Sequence, residues 1–393
     1  MPEGPLLDLL LVLLLVGYLV YGYLNGFVRS LGTIVGIAAG VVAAFFAVPL
    51  VGSWVPSPVW RIAATVAVAV GLVLAGHAAG AAVGHAIRRR VERTPLRVID
   101  RVLGAAVTGI AAALVASVLA FSVGSLGVPL LSRAIATSAV LRAIDTLTPD
   151  PVQAFLAQLR SITIDEGLPR IFSAFGGAPP AIPSIETNNP ALAVAAQSVV
   201  RITGNAYACG QSQSGSGFVV STDRVVTNAH VVAGVSEPVI ELPSGEVLAG
   251  RVVYFDPLDD LAVIAVDGMS AAPLQLTVTL SPGSAAVVNG YPYGGPFTST
   301  AAEVISVDTA QVDDIYGTST SPREVYTLAA DVREGNSGGP LLAESGAVTG
   351  VIFARSAESP TVGYAMTMAE LTPVAAEAPS LGESVSSGEC IGG

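Results

Sequence analysis

Apolar residues fall in two different patterns along this chain. Four long runs, near 5–24, 31–51, 60–86 and 102–126, carry almost no charge, and each is long enough to cross a hydrocarbon layer of about 30 Å as a helix. Beyond residue 190 the runs become short and are separated by Gly, Pro, Ser and Asp: 218–220, 225–226, 239–242, 252–255, 261–266, 285–288 and 348–353. Runs of that length, bounded by turn formers, predict the strands of an all-β barrel or sandwich. About 200 residues suffice for two small barrels. Between the two patterns, residues 127–175 carry helix signals, with Thr148 or Asp150 as a cap and Pro151 in a first turn; residues 176–190 read as an exposed linker. The pattern therefore predicts a multi-domain chain: a four-helix transmembrane domain over 1–126, a helical segment and linker over 127–190, and an all-β domain over 191–393.

Charge sets an orientation. Residues 1–126 hold 8 Arg against 4 acids (+4) and residues 127–393 hold 10 Arg against 26 acids (−16), which sum to the net −12 of the chain. The acidic second half is a poor match for a phosphate backbone, so no nucleic-acid partner is expected. In the first half, Arg29 follows the first run, and Arg88, Arg89, Arg90, Arg93, Arg97 and Arg101 crowd the connection between the third and fourth. Arginine excess marks cytoplasmic loops. Arg61 alone argues the other way, so a multi-pass protein with everything after about residue 127 outside the cytoplasm is expected. The first run is not a signal peptide, because Glu3 and Asp8 replace a basic leader and its apolar run is too long. Gly32, Gly36 and Gly40, and again Gly76, Gly80 and Gly84, repeat at the spacing that lets membrane helices approach closely. His77 is ionisable at membrane depth and fits either a proton path or one helix-to-helix hydrogen bond.

The only two cysteines, Cys209 and Cys390, lie in the second half and have no metal-ligand spacing, so no metal is expected. A disulfide between them would close a loop of roughly 180 residues, worth about 5 kcal/mol in chain-entropy terms, and would require an oxidising compartment. Two unpaired thiols are the alternative.

One stretch carries chemistry, Gly335-Asn336-Ser337-Gly338-Gly339-Pro340. Acyl transfer needs a hydroxyl on a tight turn whose backbone amides face the developing oxyanion, and glycines permit both the turn and the approach of substrate. Ser337 is the candidate nucleophile, with the Ser337 and Gly335 amides as oxyanion donors. The base must be a histidine, and His230 is the one histidine of the second half. The third member is a carboxylate that fixes the imidazole tautomer. Asp256, Asp259 and Asp260 compete, and Asp260 is favoured because it opens the core run 261–264. Gly-x-Ser-x-Gly also marks the nucleophile elbow of α/β-hydrolases, but that fold places its histidine after the serine, and none follows Ser337. The order His, Asp, Ser is the chymotrypsin order, and it needs no cofactor.

Three ordered blocks, Thr-Asn-Ala-His-Val-Val at 227–232, Asp-Leu-Ala-Val at 260–263 and Gly-Asn-Ser-Gly-Gly-Pro at 335–340, resemble the trypsin-like proteases of the HtrA type. Residues 1–126 resemble the colicin V production protein family. Joined, the two halves resemble the actinobacterial membrane-bound acid-resistance serine proteases. That resemblance implies a chymotrypsin-like double β-barrel, a disulfide joining Cys209 to Cys390, and a serine endopeptidase acting on cell-envelope proteins or peptides in acid or oxidative stress, held in the lipid bilayer. By position it places Gly350, Val351, Ile352, Phe353 and Tyr364 on the strands that bind substrate. Two features depart from relatives: the chain ends about 50 residues after Ser337, too soon for a PDZ domain, and Asn336 cannot form the aspartate ion pair by which trypsin-type zymogens are activated. Asp331, six residues before Ser337, could face the primary pocket or be a surface acid. An inactive protease-fold scaffold or sensor is the competing reading.

Overall fold

The computed structural model describes residues 4–54, 58–91, 93–124, 134–135, 138–149, 152, 156, 169–171, 181–187, 189–206 and 211–391. They form two units, Pro5–Ser117 and Val118–Gly393.

The first unit is helical: α1 (Gly4–Trp54), α2 (Pro58–Val91) and α3 (Arg97–Gly124). Three stretches within them, Leu6–Ala47, Ala64–Val91 and Arg97–Ala120, are long and apolar enough to cross a membrane. The first two expected runs lie within α1, joined through Asn-Gly-Phe-Val-Arg-Ser at 25–30. Their separation is a single break at Gly26, whose φ of 73° and ψ of 164° are not helical. Each side of the break has its own partner: Gly22 packs on Gly104 and Thr108 of α3, whereas Gly32, Gly36 and Gly40 pack on Gly80, Gly76 and Leu72–Val73 of α2. A broken helix in apolar surroundings must find partners for the backbone groups it frees. Here Asp100 Oδ1 accepts from the Val28 amide at 3.0 Å, and Arg88 Nη2 donates to the Leu24 carbonyl at 2.7 Å. Arg88 Nε and Asp100 Oδ2 lie 3.9 Å apart. Leu13, Leu74 and Ile110 are exposed, as suits helices in lipid, and His77 is exposed beside them.

In the second unit, α4 (Ala139–Leu147) starts on Ser138, whose Oγ accepts from the Leu141 amide. Thr148, expected as an N-cap, instead ends this helix, with its hydroxyl donating to the Ile144 carbonyl at 2.6 Å. Asp150, Pro151 and residues 176–180 and 188 of the expected linker lie outside the described residues. The helix α5 (Pro190–Ala196), capped by Asn189, was not expected from the sequence; its Leu192 and Ala195 are buried.

Two seven-stranded sheets follow. The first contains β2 (Val199–Ala206), β3 (Gln211–Ser221), β4 (Arg224–Thr227), β5 (Val239–Glu241), β6 (Val247–Ala249), β7 (Arg251–Asp256) and β8 (Leu261–Ala265), in the order β6-β5-β2-β3-β4-β8-β7. The second contains β1 (Arg170–Ile171), β9 (Ala285–Gly290), β10 (Thr298–Asp313), β11 (Thr320–Ala329), β12 (Pro340–Leu342), β13 (Val348–Ser356) and β14 (Val362–Met366), in the order β1-β13-β12-β9-β10-β11-β14. An added β13–β14 pairing closes six strands of the second sheet into a ring. Among the described residues the first sheet shows no such closure between β6 and β7. Each short apolar run predicted from the sequence lies on a strand, and alternate residues bury Val219, Ile240 and Ile264 in one core and Val288, Leu328 and Ile352 in another. A short helix α6 (Ala229–Val232) follows β4, and α7 (Met368–Glu377) follows β14. Cys209 lies outside the described residues; Cys390 is disulfide-bonded.

Candidate active site

The strand β4 ends at Thr227, and the next turn, α6, carries His230 with only 7% of its surface exposed. Asp260 stands at the mouth of β8. Its φ of 54° lies in the left-handed region, which costs a non-glycine residue roughly 1–3 kcal/mol unless its surroundings enforce it. They do: Asn228 Nδ2 donates to the Asp260 carbonyl at 2.8 Å, the His230 amide donates to Oδ1 at 2.9 Å, and His230 Nδ1 meets Oδ2 at 2.7 Å. Asp259, the competing carboxylate, turns the other way and accepts from Ser321 Oγ. Burial pushes its carboxyl up, Asp256 adds to the effect, and Arg323 and Ser321 oppose it.

The turn that carries Ser337 packs against these elements from the second sheet. The Ser216 amide on β3 donates to the Ser337 carbonyl at 2.8 Å, and Ser216 Oγ donates to the Gly335 carbonyl at 2.6 Å. Gly338 has a φ of 78°, and a Cβ there would strike Thr227 Oγ1, the Ser216 carbonyl and the Asn228 amide. Only glycine fits between the serine turn and the histidine turn. Asn336 Oδ1 accepts from the Arg333 amide at 2.9 Å, so its side chain ties the turn to itself.

The groups expected to react are left without partners among the described residues. His230 Nε2 is buried and bonded to nothing among the described residues; Ser337 Oγ and the Gly335 and Ser337 amides likewise appear in no hydrogen bond there. Unsatisfied buried polar groups are rare enough in folded proteins that a cluster of them needs a reason. The Glu334 carbonyl is fixed by the Tyr293 amide at 2.7 Å. Because a trans peptide sets its carbonyl and amide on opposite sides, the Gly335 N–H faces away from Tyr293.

The residues placed on substrate-binding strands are all buried on β13 and β14. Val351 is paired on both sides, with Pro340 and Met366, and Ile352 exchanges hydrogen bonds with Gly338 and Gly339 at 2.8 and 2.9 Å. A further strand cannot add at those two residues. Phe353 and Ala354 follow, before the Arg355 amide is taken by the Pro169 carbonyl at 3.2 Å. Asp331 is held by Arg333 in a fork of hydrogen bonds at the surface. Ser216 and Arg323 escaped the sequence reading, since each lies in a polar stretch that looks like any exposed one, and Asn228 was seen only as part of the block around His230.

Residues 215–351, which run from β3 to β13 and so include strands of both sheets, match the trypsin-like peptidase domain family, and the class is that of trypsin-like serine peptidases. Residues 7–149 match the colicin V production protein family. Serine protease Rv3671c of Mycobacterium tuberculosis (strain ATCC 25618 / H37Rv) is 35% identical over 307 residues, 76% of each chain. The putative serine protease HhoB of Synechocystis is 36% identical over 156 residues, 39% of this chain and 37% of its own. A crystal structure of the Rv3671c protease in its active form aligns with a TM-score of 0.51 at 35% identity, covering 56% of this chain and 100% of that one. The chain belongs to the Rv3671c-like (MarP) serine proteases. It is a serine endopeptidase, a membrane protein whose protease domain is C-terminal.

Proposed function

We propose that His230, Asp260 and Ser337 form the catalytic triad of a membrane-anchored endopeptidase that cleaves envelope proteins outside the cytoplasm. The observation that carries this reading is the buried Asp260–His230 pair, whose free Nε2 stands beside a serine turn with two unpartnered amides. No hydrogen bond joins Ser337 Oγ to Nε2 in the resting molecule, and rotation of the serine side chain is what would make it, as is common before substrate binds. Nε2 then takes the hydroxyl proton while Oγ attacks the scissile carbonyl. The Gly335 and Ser337 amides donate to the oxyanion. The proton passes to the departing amine, leaving an acyl-enzyme, and water reverses the sequence to release the acid. Asp260 stays ionised and holds the imidazole with its proton on Nδ1. An extended substrate would lie along Phe353 and Ala354, between β12 and β1, with Gly350–Ile352 and Tyr364 as the wall behind it.

The same reading has the chain cross the membrane four times, with the Gly26 break as the turn between the first two crossings, and closes both sheets into barrels. The arginine-rich connection before α3 is then cytoplasmic and the protease domain periplasmic. Because Cys390 is disulfide-bonded and Cys209 is the only other cysteine, the two would tie both ends of the protease domain together. This suits an oxidising compartment and a role in acid or oxidative stress. The deciding experiment compares the purified chain with its Ser337→Ala variant on an unbiased peptide library across pH. Cleavage confined to the parent is expected; equal cleavage by both would end the catalytic reading.

A further inference from the structure

Arg323 is a charged side chain for which the chemistry above has no use. It lies on β11, its surface only 1% exposed. Nη2 donates to the Asp313 carbonyl at 2.6 Å, and the guanidinium lies 5.8 Å from the centre of the Phe353 ring. Nε has no partner among the described residues. A buried guanidinium with no carboxylate bonded to it is costly, and such a group is kept only where its charge acts on something. Burial holds the guanidinium below its ordinary value, and the carboxylates that partly oppose this are Asp260 first, then Asp259, Glu370 and Asp256.

Asp260 needs such support. It belongs to the first sheet, whereas Ser337 belongs to the second, and its backbone is held in the left-handed region. The loop before it already rests on the hairpin of β10 and β11: the Ile315 amide donates to the Pro257 carbonyl at 3.1 Å, and Ser321 Oγ contacts the Leu258 carbonyl and Asp259 Oδ1 at 3.4 Å. Both Asp260 oxygens are occupied by His230, so Arg323 acts through the field between two buried side chains, where charge reaches further than in solvent. We propose that Arg323 is a positioning residue, a buried cation of the second sheet that holds Asp260, and through it the His230 imidazole, in register with Ser337. This rests on the catalytic reading of those three residues.

The test uses the full chain in detergent micelles, with a library peptide that the parent cleaves and a fluorophosphonate that labels the active serine. Arg323→Met is the main variant, because replacing a buried charge by an apolar side chain of similar volume is often neutral or stabilising to the fold. It should lower kcat about tenfold to a hundredfold, with KM within about twofold and the unfolding temperature unchanged, because sub-ångström misplacement of a catalytic group acts on the chemical step. Arg323→Lys, which restores the charge, should recover to within about threefold of the parent. If Arg323→Met does not fold, Arg323→Gln serves in its place. A kcat within twofold of the parent, or a lysine variant no better than the neutral one, overturns the proposal. Ser337→Ala separates the two levels: if it cleaves like the parent, the catalytic reading has failed, whereas an inert Ser337→Ala beside a fully active Arg323→Met sinks only the role of Arg323.

Discussion

Among the described residues, each unit buries one aspartate against a nitrogenous side chain, and the two pairs end differently. In the helical unit, Asp100 is 7% exposed; one of its oxygens holds the Val28 amide and the other faces Arg88, which in turn holds the Leu24 carbonyl. The pair answers a local need created by the break at Gly26. In the β unit, Asp260 is 2% exposed and gives both oxygens to His230, yet the far nitrogen of that ring is bonded to nothing. A polar pair that serves structure ends in backbone groups that need it. The pair proposed for chemistry ends in an atom with no partner among the described residues, which is what a catalytic role would require of it.

Five substitutions test that contrast. Asp260→Asn should have the largest effect, lowering kcat about 10,000-fold by admitting the wrong histidine tautomer, while Asp259→Asn should change it no more than about threefold, because that side chain faces Ser321 instead; steady-state cleavage of one peptide reads both. Next comes Asp100→Ala, which leaves Arg88 buried without its carboxylate and should destabilise the helical unit by about 3–5 kcal/mol. Unfolding followed by helical circular dichroism in micelles measures it, and fluorophosphonate labelling of Ser337 should persist; equal stability would mean that the break at Gly26 does not depend on this pair. Gly338→Ala forces a Cβ into the Thr227 hydroxyl and the Ser216 carbonyl at a positive φ, so it should cost at least about 1–3 kcal/mol and erase labelling as the serine turn leaves the histidine. The smallest effect is at the β10–β11 tip. Burial alone would raise the Asp314 carboxyl, but hydrogen bonds from Thr318, Ser319 and the Tyr316 amide outweigh it and hold the group well below the usual carboxylate range. A depressed folded value stabilises above the unfolded value, about 3.9, and that contribution is lost as pH falls below it. The parent should therefore melt slightly above Asp314→Ala at pH 7, with the gap narrowing as pH falls below about 4; a gap that does not narrow between pH 4 and pH 2 would assign the effect to packing.

Much of this was readable from the chain. Every short apolar run fell on a strand because alternation between core and surface is a local property, and the glycine repeats at 32–40 and 76–84 proved to be helix contacts because only glycine lets two backbones meet. The sequence already separated the first two apolar runs at residues 25–30, but only the fold shows that the break falls on one glycine, Gly26. The long hairpin of β10 and β11 was missed for a different reason. Its residues, such as Thr298-Ser299-Thr300 and Asp308-Thr309-Ala310, are polar, and its order comes from cross-strand pairing over a register of ten partners. Asp260 could be ranked above Asp259 from its place before an apolar strand, but only the fold shows which carboxylate turns to the ring.

By itself the sequence determined which segments are apolar enough for lipid, which residues can act as nucleophile and base, and that glycine must flank the serine, because these depend on residue type and spacing along the chain. The tertiary structure decided what lies next to what. The strained turn at Asp260, the unpartnered Nε2 and the buried guanidinium of Arg323 arise where two sheets meet, from residues 63 positions apart between Asp260 and Arg323, and no local pattern encodes a contact over that distance.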